Sequence, residues 1–112
     1  MDKHQNFAKN LAAIRNAREE SLVEFSKELG VPKSTLQAIL GDGNTTLNTA
    51  LRISERLNIP LDDLVNDETL SHKFDVFHNL LNSLSWYSSL SKEQRERVQY
   101  HLYQILEVIK ND

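Results

Sequence analysis

The stretch Leu22–Gly41, LVEFSKELGVPKSTLQAILG, decides the fold of this 112-residue chain. Gly30 can adopt a left-handed conformation at no steric cost, so it predicts the end of a first helix. Pro32 has a fixed φ that suits the start of a second helix. Apolar residues at helical spacing stand on both sides of the glycine, Phe25 and Leu29 before it and Leu36 and Ile39 after it. The sequence therefore predicts two short helices joined by a tight turn.

Three segments extend this pattern at matching intervals: LAAIR at 11–15, EFSKELGVPKSTLQAIL at 24–40 and GNTTLNTALRISERLNIPLDDL at 43–64. On these segments the chain resembles the phage-repressor/Cro-type (XRE-like) helix-turn-helix family of bacterial and phage transcriptional regulators. The resemblance implies an all-α chain. Its first domain would be a five-helix, phage-repressor-like DNA-binding domain over residues 6–66, with the helix-turn-helix core at 22–41.

In such a domain the second helix of the motif, here 32–40, lies in the major groove of double-stranded DNA. Its exposed first turn would reach furthest, which makes Lys33, Ser34 and Gln37 candidate base readers. Hydroxyls and helix amides before the next helix suit phosphate. The predicted DNA-binding residues are Lys33, Ser34, Thr35, Gln37, Ala38, Asn44, Thr45, Thr46 and Arg15. The alternative is that these residues are an ordinary solvated helix surface and helix caps.

The sequence departs from the family pattern at three positions. Leu40 stands where relatives often carry a glutamate that pairs with the arginine at position 15, so Arg15 needs another partner, such as Glu19 or a phosphate. Leu22 replaces a frequent glutamine and cannot donate its hydrogen bond to the DNA backbone. Ala38 replaces a longer reader and offers at most a methyl contact to thymine. These departures leave a small reading surface.

Local signals predict where the helices begin and end. Ser21 should cap the second helix, with Glu24 completing a capping box. Gly41-Asp42-Gly43 is predicted to be a flexible turn, and Thr46 to cap a helix from Leu47 to Leu57. The apolar face of that helix is predicted to contain Leu47, Ala50, Leu51, Ser54 and Leu57.

Residues 67–112 are predicted to form a carboxy-terminal helical hairpin with more apolar surface than one facing helix can cover. A surface of that size is typical of an interaction site, so a homodimer is expected. The predicted dimer-interface residues are Phe77, Leu81, Leu84, Trp86, Tyr87, Val98, Leu102, Ile105 and Ile109. The alternatives are that the hairpin folds back onto the first domain or binds a different protein.

Composition and charge restrict the possible function classes. The net charge is −3, which does not favour DNA binding. Few contacts to phosphate are then expected, so tight binding to DNA would require dimerisation. The chain has no cysteine and no histidine cluster at ligand spacing, so no metal site or cofactor is expected. No apolar run reaches membrane-spanning length and no signal peptide is found, which predicts a cytoplasmic protein. No catalytic motif supports an enzyme.

Three hypotheses about function remain. The first is a homodimeric transcriptional regulator, a repressor that reads an inverted-repeat operator. The second is an antitoxin-like or adaptor module whose carboxy-terminal hairpin binds another protein. The third is a ligand-sensing regulator with Trp86, Tyr87 and Phe77 lining an apolar pocket. The sequence shows no polar group placed to orient a ligand, so this hypothesis ranks last. The contacts missing at Leu22 and Ala38, together with the acidic balance, slightly favour the second hypothesis.

Overall fold

The computed structural model describes residues 3–66 and 69–110, with only the backbone described for 69–71, 103 and 106–110. The described residues form eight helices and no strand, which confirms the all-α prediction. The helices are α1 (Lys3–Arg18), α2 (Leu22–Leu29), α3 (Lys33–Asp42), α4 (Leu47–Leu57), α5 (Leu61–Val65), α6 (Thr69–Asn82), α7 (Ser85–Ser88) and α8 (Lys92–Lys110). The chain divides into two compact units, an amino-terminal unit (Met1–Val76) and a carboxy-terminal unit (Phe77–Asp112).

The amino-terminal unit is built around one apolar core. Helix α1 packs against α3 and α5, α2 packs against α3 and α4, and α4 also contacts α5. Each of the helices α1 to α5 contributes side chains that are almost completely buried: Phe7, Leu11, Ile14, Phe25, Leu29, Leu36, Ile39, Ile53 and Leu64. Burial of these side chains is the main term that stabilises the unit. Residues 67 and 68 lie outside the described residues.

Side-chain caps fix the starts of two helices in the helix-turn-helix region. The Ser21 hydroxyl accepts the Glu24 backbone N–H at 3.1 Å, and the Glu24 carboxylate accepts the Ser21 N–H at 2.9 Å. Thr46 caps α4 by accepting the Thr49 N–H at 3.2 Å. The predicted capping box and the predicted threonine cap are both confirmed. Each cap satisfies backbone donors that the helix itself leaves unpaired.

The predicted flexible turn at 41–43 is wrong for its first two residues. Helix α3 continues through Gly41 and Asp42, and only Gly43 leaves it, with φ +77°. Its backbone N–H donates to the Ile39 carbonyl in this left-handed conformation. The helix can extend because Gly41 is tolerated inside a helix at a modest cost, and the residue that needs positive φ is the second glycine.

The predicted apolar face of α4 is also partly wrong. Leu47 and Leu51 are 67 % and 42 % exposed, whereas Ala50, Ile53 and Leu57 are buried. Two overlapping stripes exist on this helix, and α4 turns the one that contains Ile53 towards α2 and α5. Periodicity alone does not distinguish the stripes because both recur at helical spacing.

Two buried asparagines of α1 bind the end of α5. The Asn10 side-chain amide donates to the Leu64 carbonyl at 2.9 Å and to the Asp63 carbonyl at 3.4 Å. The Asn6 amide donates to the Val65 carbonyl at 3.1 Å. The last carbonyls of a helix have no partner within it. The two side chains therefore supply the hydrogen bonds that a five-residue helix cannot make for itself.

The carboxy-terminal unit contains the end of α6, the short helix α7 and α8. Helix α6 ends at Asn82, and Tyr87 lies in the short helix α7. Tyr87 is buried, and its hydroxyl accepts a hydrogen bond from Gln99 of α8 at 3.0 Å. A capping box begins α8: the Ser91 hydroxyl accepts the Gln94 N–H, and the Gln94 side chain accepts the Ser91 N–H.

Candidate nucleic-acid interface

Helix α3 presents one polar stripe to solvent. Ser34, Gln37, Ala38 and Gly41 are exposed and follow one another at the i, i+3, i+4, i+7 spacing of a single helical face. Lys33, also exposed, extends this face at the first turn of the helix. Of the other predicted contact residues of α3, Thr35 is half-buried. The arrangement leaves hydroxyl, amide and ammonium groups available to the edges of base pairs.

The opposite face of α3 fixes its position against the rest of the unit. Leu36 and Ile39 are buried in the core, and Val31 in the preceding turn is buried too. Gly30 ends α2 with φ +69°, so the chain reverses directly into α3. A helix held on one face by a core and preceded by a tight turn is a rigid platform for its exposed side chains.

Two arginines of α4 lie at this turn, a feature that sequence analysis missed. Arg52 donates from Nη1 to the Gly30 carbonyl at 3.4 Å. The Arg56 guanidinium lies so close to Gly30 that a Cβ built there would stand 2.8 Å from its Nη2 atom. Positive charge at the carboxyl end of α2 is electrostatically favourable. No local sequence signal pairs these arginines with a glycine more than 20 residues earlier.

The corner between α3 and α4 carries the other predicted contacts. Asn44 and Thr46 are exposed and Thr45 is half-buried. The Asn44 N–H donates to the Asp42 carboxylate at 2.8 Å, and the Thr46 and Thr49 hydroxyls are 3.0 Å apart. The corner thus contains hydroxyl and amide groups of the kind that bind phosphate oxygens, but the Asn44 N–H and the Thr46 hydroxyl are already bonded within it.

Arg15 has a different partner from the suggested Glu19 side chain. Its Nε donates to the backbone carbonyl of Glu20 at 3.1 Å, and the arginine is half-buried. Glu20 is itself buried, with one carboxylate oxygen 3.9 Å from an Arg18 nitrogen. Arg15 therefore connects the end of α1 to the residue before the cap of α2. The glutamate that often pairs with this arginine in the family is replaced by Leu40 in α3.

The predicted dimer-interface residues differ widely in their exposure. Leu81 and Tyr87 are buried, whereas Trp86 and Ile105 are more than half exposed. The half-buried members are Phe77, Leu84, Val98 and Leu102. The side chain of Ile109 lies outside the described part of the chain. Their contribution to an interface stays a prediction.

The described residues contain neither a metal-binding cluster nor a membrane-spanning helix. Within 3–66 and 69–110 no group of three or more His, Cys, Asp and Glu side chains is placed to hold a metal ion. Over the same part of the chain, no helix combines the length and the apolar character that crossing a membrane requires. The polar surface of α3 and the adjoining corner thus form the candidate site.

Comparison with known proteins gives one match. A model of the protein family described as Helix-turn-helix matches residues 11–64, the span over which the sequence resembles that family. No curated protein and no solved structure matches the chain significantly. The matched residues include the glycine turn, the exposed stripe of α3 and the corner before α4. Residues 11–64 of this chain belong to the phage-repressor/Cro-type (XRE-like) helix-turn-helix family of DNA-binding regulators.

Proposed function

We propose that this protein is a homodimeric transcriptional repressor acting in the cytoplasm on an inverted-repeat operator. Each protomer inserts α3 into the major groove of one half-site, with Lys33, Ser34 and Gln37 towards the bases. Asn44, Thr45 and Thr46 contact the phosphate backbone beside it. One observation carries the proposal: within a domain of a DNA-binding family, α3 leaves its polar stripe exposed while its other face is fixed by the core.

The charge of the amino-terminal unit limits how strongly the protein can bind DNA without reading its sequence. The amino-terminal unit carries nine Lys and Arg against twelve Asp and Glu, and two of its arginines already lie at the turn between α2 and α3. Binding to DNA of any sequence is dominated by phosphate contacts, so this protein should bind random DNA weakly. Useful affinity then depends on base contacts and on two half-sites about one helical turn apart.

Selection of binding sites from a random pool of duplex DNA tests the proposed sequence specificity. We expect an enriched motif with two-fold symmetry. Lys33→Ala and Gln37→Ala should each cost about 1–3 kcal/mol of binding free energy on that motif and relax the preference at one base pair per half-site. The measurement is a titration of each variant on the selected site and on variants of that site.

Gln104→Ala is the matched control, since Gln104 is an exposed glutamine on α8 of the carboxy-terminal unit. It should leave the selected motif unchanged. If Lys33 contacts only phosphate, its replacement should weaken binding equally on every sequence and reduce the salt dependence by about one unit. A folded wild-type chain that enriches no motif would remove the repressor proposal.

The proposed homodimer has its own test. Trp86 and Ile105 are large apolar side chains left exposed on the carboxy-terminal unit, and we expect them to contribute to the contact between protomers. Light scattering at micromolar concentration should give twice the mass of one chain. Trp86→Ser together with Ile105→Ser should shift the protein towards the monomer with its helix content retained. A wild-type monomer would contradict the dimer.

The same exposed side chains support a second candidate, an adaptor or antitoxin-like module that binds a different protein through its carboxy-terminal helices. Its distinguishing result is a folded monomer that enriches no DNA motif. A symmetric motif bound by a dimer would support the repressor over this candidate.

A further inference from the structure

An open cleft lies between α1 and the end of α3, beside the exposed stripe of α3. Its α1 side includes Gln5, Lys9 and Ala12, and its α3 side includes Leu40, Gly41 and Asp42. Gly41 belongs both to this cleft and to the exposed stripe that begins at Ser34. The cleft is therefore continuous with the surface proposed to meet the bases.

Helix α1 turns a polar stripe towards this cleft. Gln5, Lys9 and Ala12 are exposed and spaced at i, i+4 and i+7, so they share one helical face. The two helices are held together closely at this end, because the backbone of Gly43 lies directly against the backbone carbonyl of His4. The stripe of α1 therefore lies directly beside the carboxyl end of α3.

Lys9 is a positive charge placed opposite the negative carboxyl end of α3. The carboxyl end of α3 carries the negative end of the helix dipole, and Asp42 adds a carboxylate. Both disfavour an approaching phosphate. Lys9 is the cation on the opposite side of the same cleft, so its ammonium offsets this negative end where a DNA strand would pass.

We propose that α1 provides a second contact surface for the DNA backbone, with Lys9 binding a phosphate next to the half-site and Gln5 donating a hydrogen bond to the same strand. The inference rests on the proposed function and extends it. Contact with phosphate fixes orientation on the duplex and carries no sequence information. Lys9 would therefore raise affinity without changing the motif.

Lys9→Gln tests this by removing the charge from an exposed helical position. We expect binding to weaken several-fold by the same factor on the selected site and on a random duplex. The slope of log K against log salt should fall by about one unit for each protomer bound. Ala12→Lys should do the reverse, since it adds a cation one turn further along the same stripe.

The controls change the same charges on the carboxy-terminal unit, where Arg97 and Gln104 are exposed on α8. Arg97→Gln and Gln104→Lys should leave the salt slope unchanged. Circular dichroism should show all four variants folded. The proposal is overturned if Lys9→Gln and Ala12→Lys change the slope no more than these controls do.

Failure of this inference is distinguishable from failure of the proposed function. Motif selection is measured on the wild-type chain, whereas the contribution of Lys9 is measured as a salt slope that a random duplex also reports. A wild-type chain that selects a motif, with no effect of Lys9 or Ala12, overturns only the α1 contact. A wild-type chain that selects no motif overturns the repressor, and the random duplex still tests Lys9.

Discussion

Gly43→Ala is expected to lower the free energy of unfolding of the amino-terminal unit by about 2–5 kcal/mol. Two costs add. Gly43 has φ +77°, a left-handed conformation that costs an L-residue about 1–2 kcal/mol. A Cβ at this position would also overlap the His4 carbonyl group. Since that group is backbone, α1 and α3 must move apart, a form of overpacking that costs about 1–3 kcal/mol.

The other two glycines are matched controls for this substitution. Gly41→Ala should stabilise the unit by about 0.5–1 kcal/mol, because Gly41 lies inside α3 and a Cβ there meets nothing within 4 Å. Gly30→Ala should be intermediate, since its positive φ is unfavourable but the Arg56 side chain can move aside. Urea unfolding followed by circular dichroism gives the three values. A Gly43→Ala variant as stable as wild type would contradict the close α1–α3 contact.

Asn10→Asp is expected to cost about 3 kcal/mol or more at neutral pH. Asn10 is completely buried, and its amide donates to two carbonyl oxygens at the end of α5. Aspartate has the same shape but presents an acceptor where a donor is needed. A buried carboxylate loses its hydration and faces the negative ends of two carbonyl groups. The helix that closes the core should then separate from α1.

Two further variants separate the lost hydrogen bonds from the added charge. Asn10→Leu leaves the α5 carbonyls without their donor and should cost about 1–3 kcal/mol. Asn16→Ala, on the exposed side of the same helix, should be neutral or slightly stabilising because alanine favours helix. Urea unfolding again gives the values. Equal stability of the Asn10 and Asn16 variants would mean that the α1–α5 hydrogen bonds contribute nothing.

Features that depend on a few neighbouring residues were predictable from the sequence. Ser21 and Glu24 form the expected capping box, Thr46 caps α4, and Gly30 ends α2 with positive φ. In each case the sequence signal is a side chain or a glycine that satisfies a backbone group within a few residues. The all-α fold class followed from the same signals and from helical spacing of apolar residues.

Features that depend on distant partners were not predictable in this way. Asn6 and Asn10 donate to carbonyls more than 50 residues further along the chain. Their only sequence signal is a pair of asparagines at i, i+4 among apolar residues of α1. The exposure of Leu47 was missed for a similar reason, because the rotation of α4 is decided by what Ile53 and Leu57 contact.

The position of the candidate site on α3 was predictable from the sequence, but the arginine hydrogen bonds around it were not. Ser34, Gln37 and Ala38 are exposed on α3 as the apolar spacing of Leu36 and Ile39 predicts. Sequence alone did not predict that Arg52 would reach the Gly30 carbonyl or that Arg15 would bind the Glu20 carbonyl. Long arginine side chains reach many backbone carbonyls, and tertiary packing selects one of them.

Trp86 is an intrinsic fluorescent probe of the carboxy-terminal unit. It is the single tryptophan of the chain and is 55 % exposed, in edge-to-face contact with Tyr87. Its fluorescence therefore reports on that unit alone, whereas the far-ultraviolet dichroism comes from the helices of both units. Non-coincident transitions of the two signals in urea would show that the units unfold separately. If self-association covers Trp86, its emission should shift to shorter wavelength as the protein concentration rises, without any attached dye.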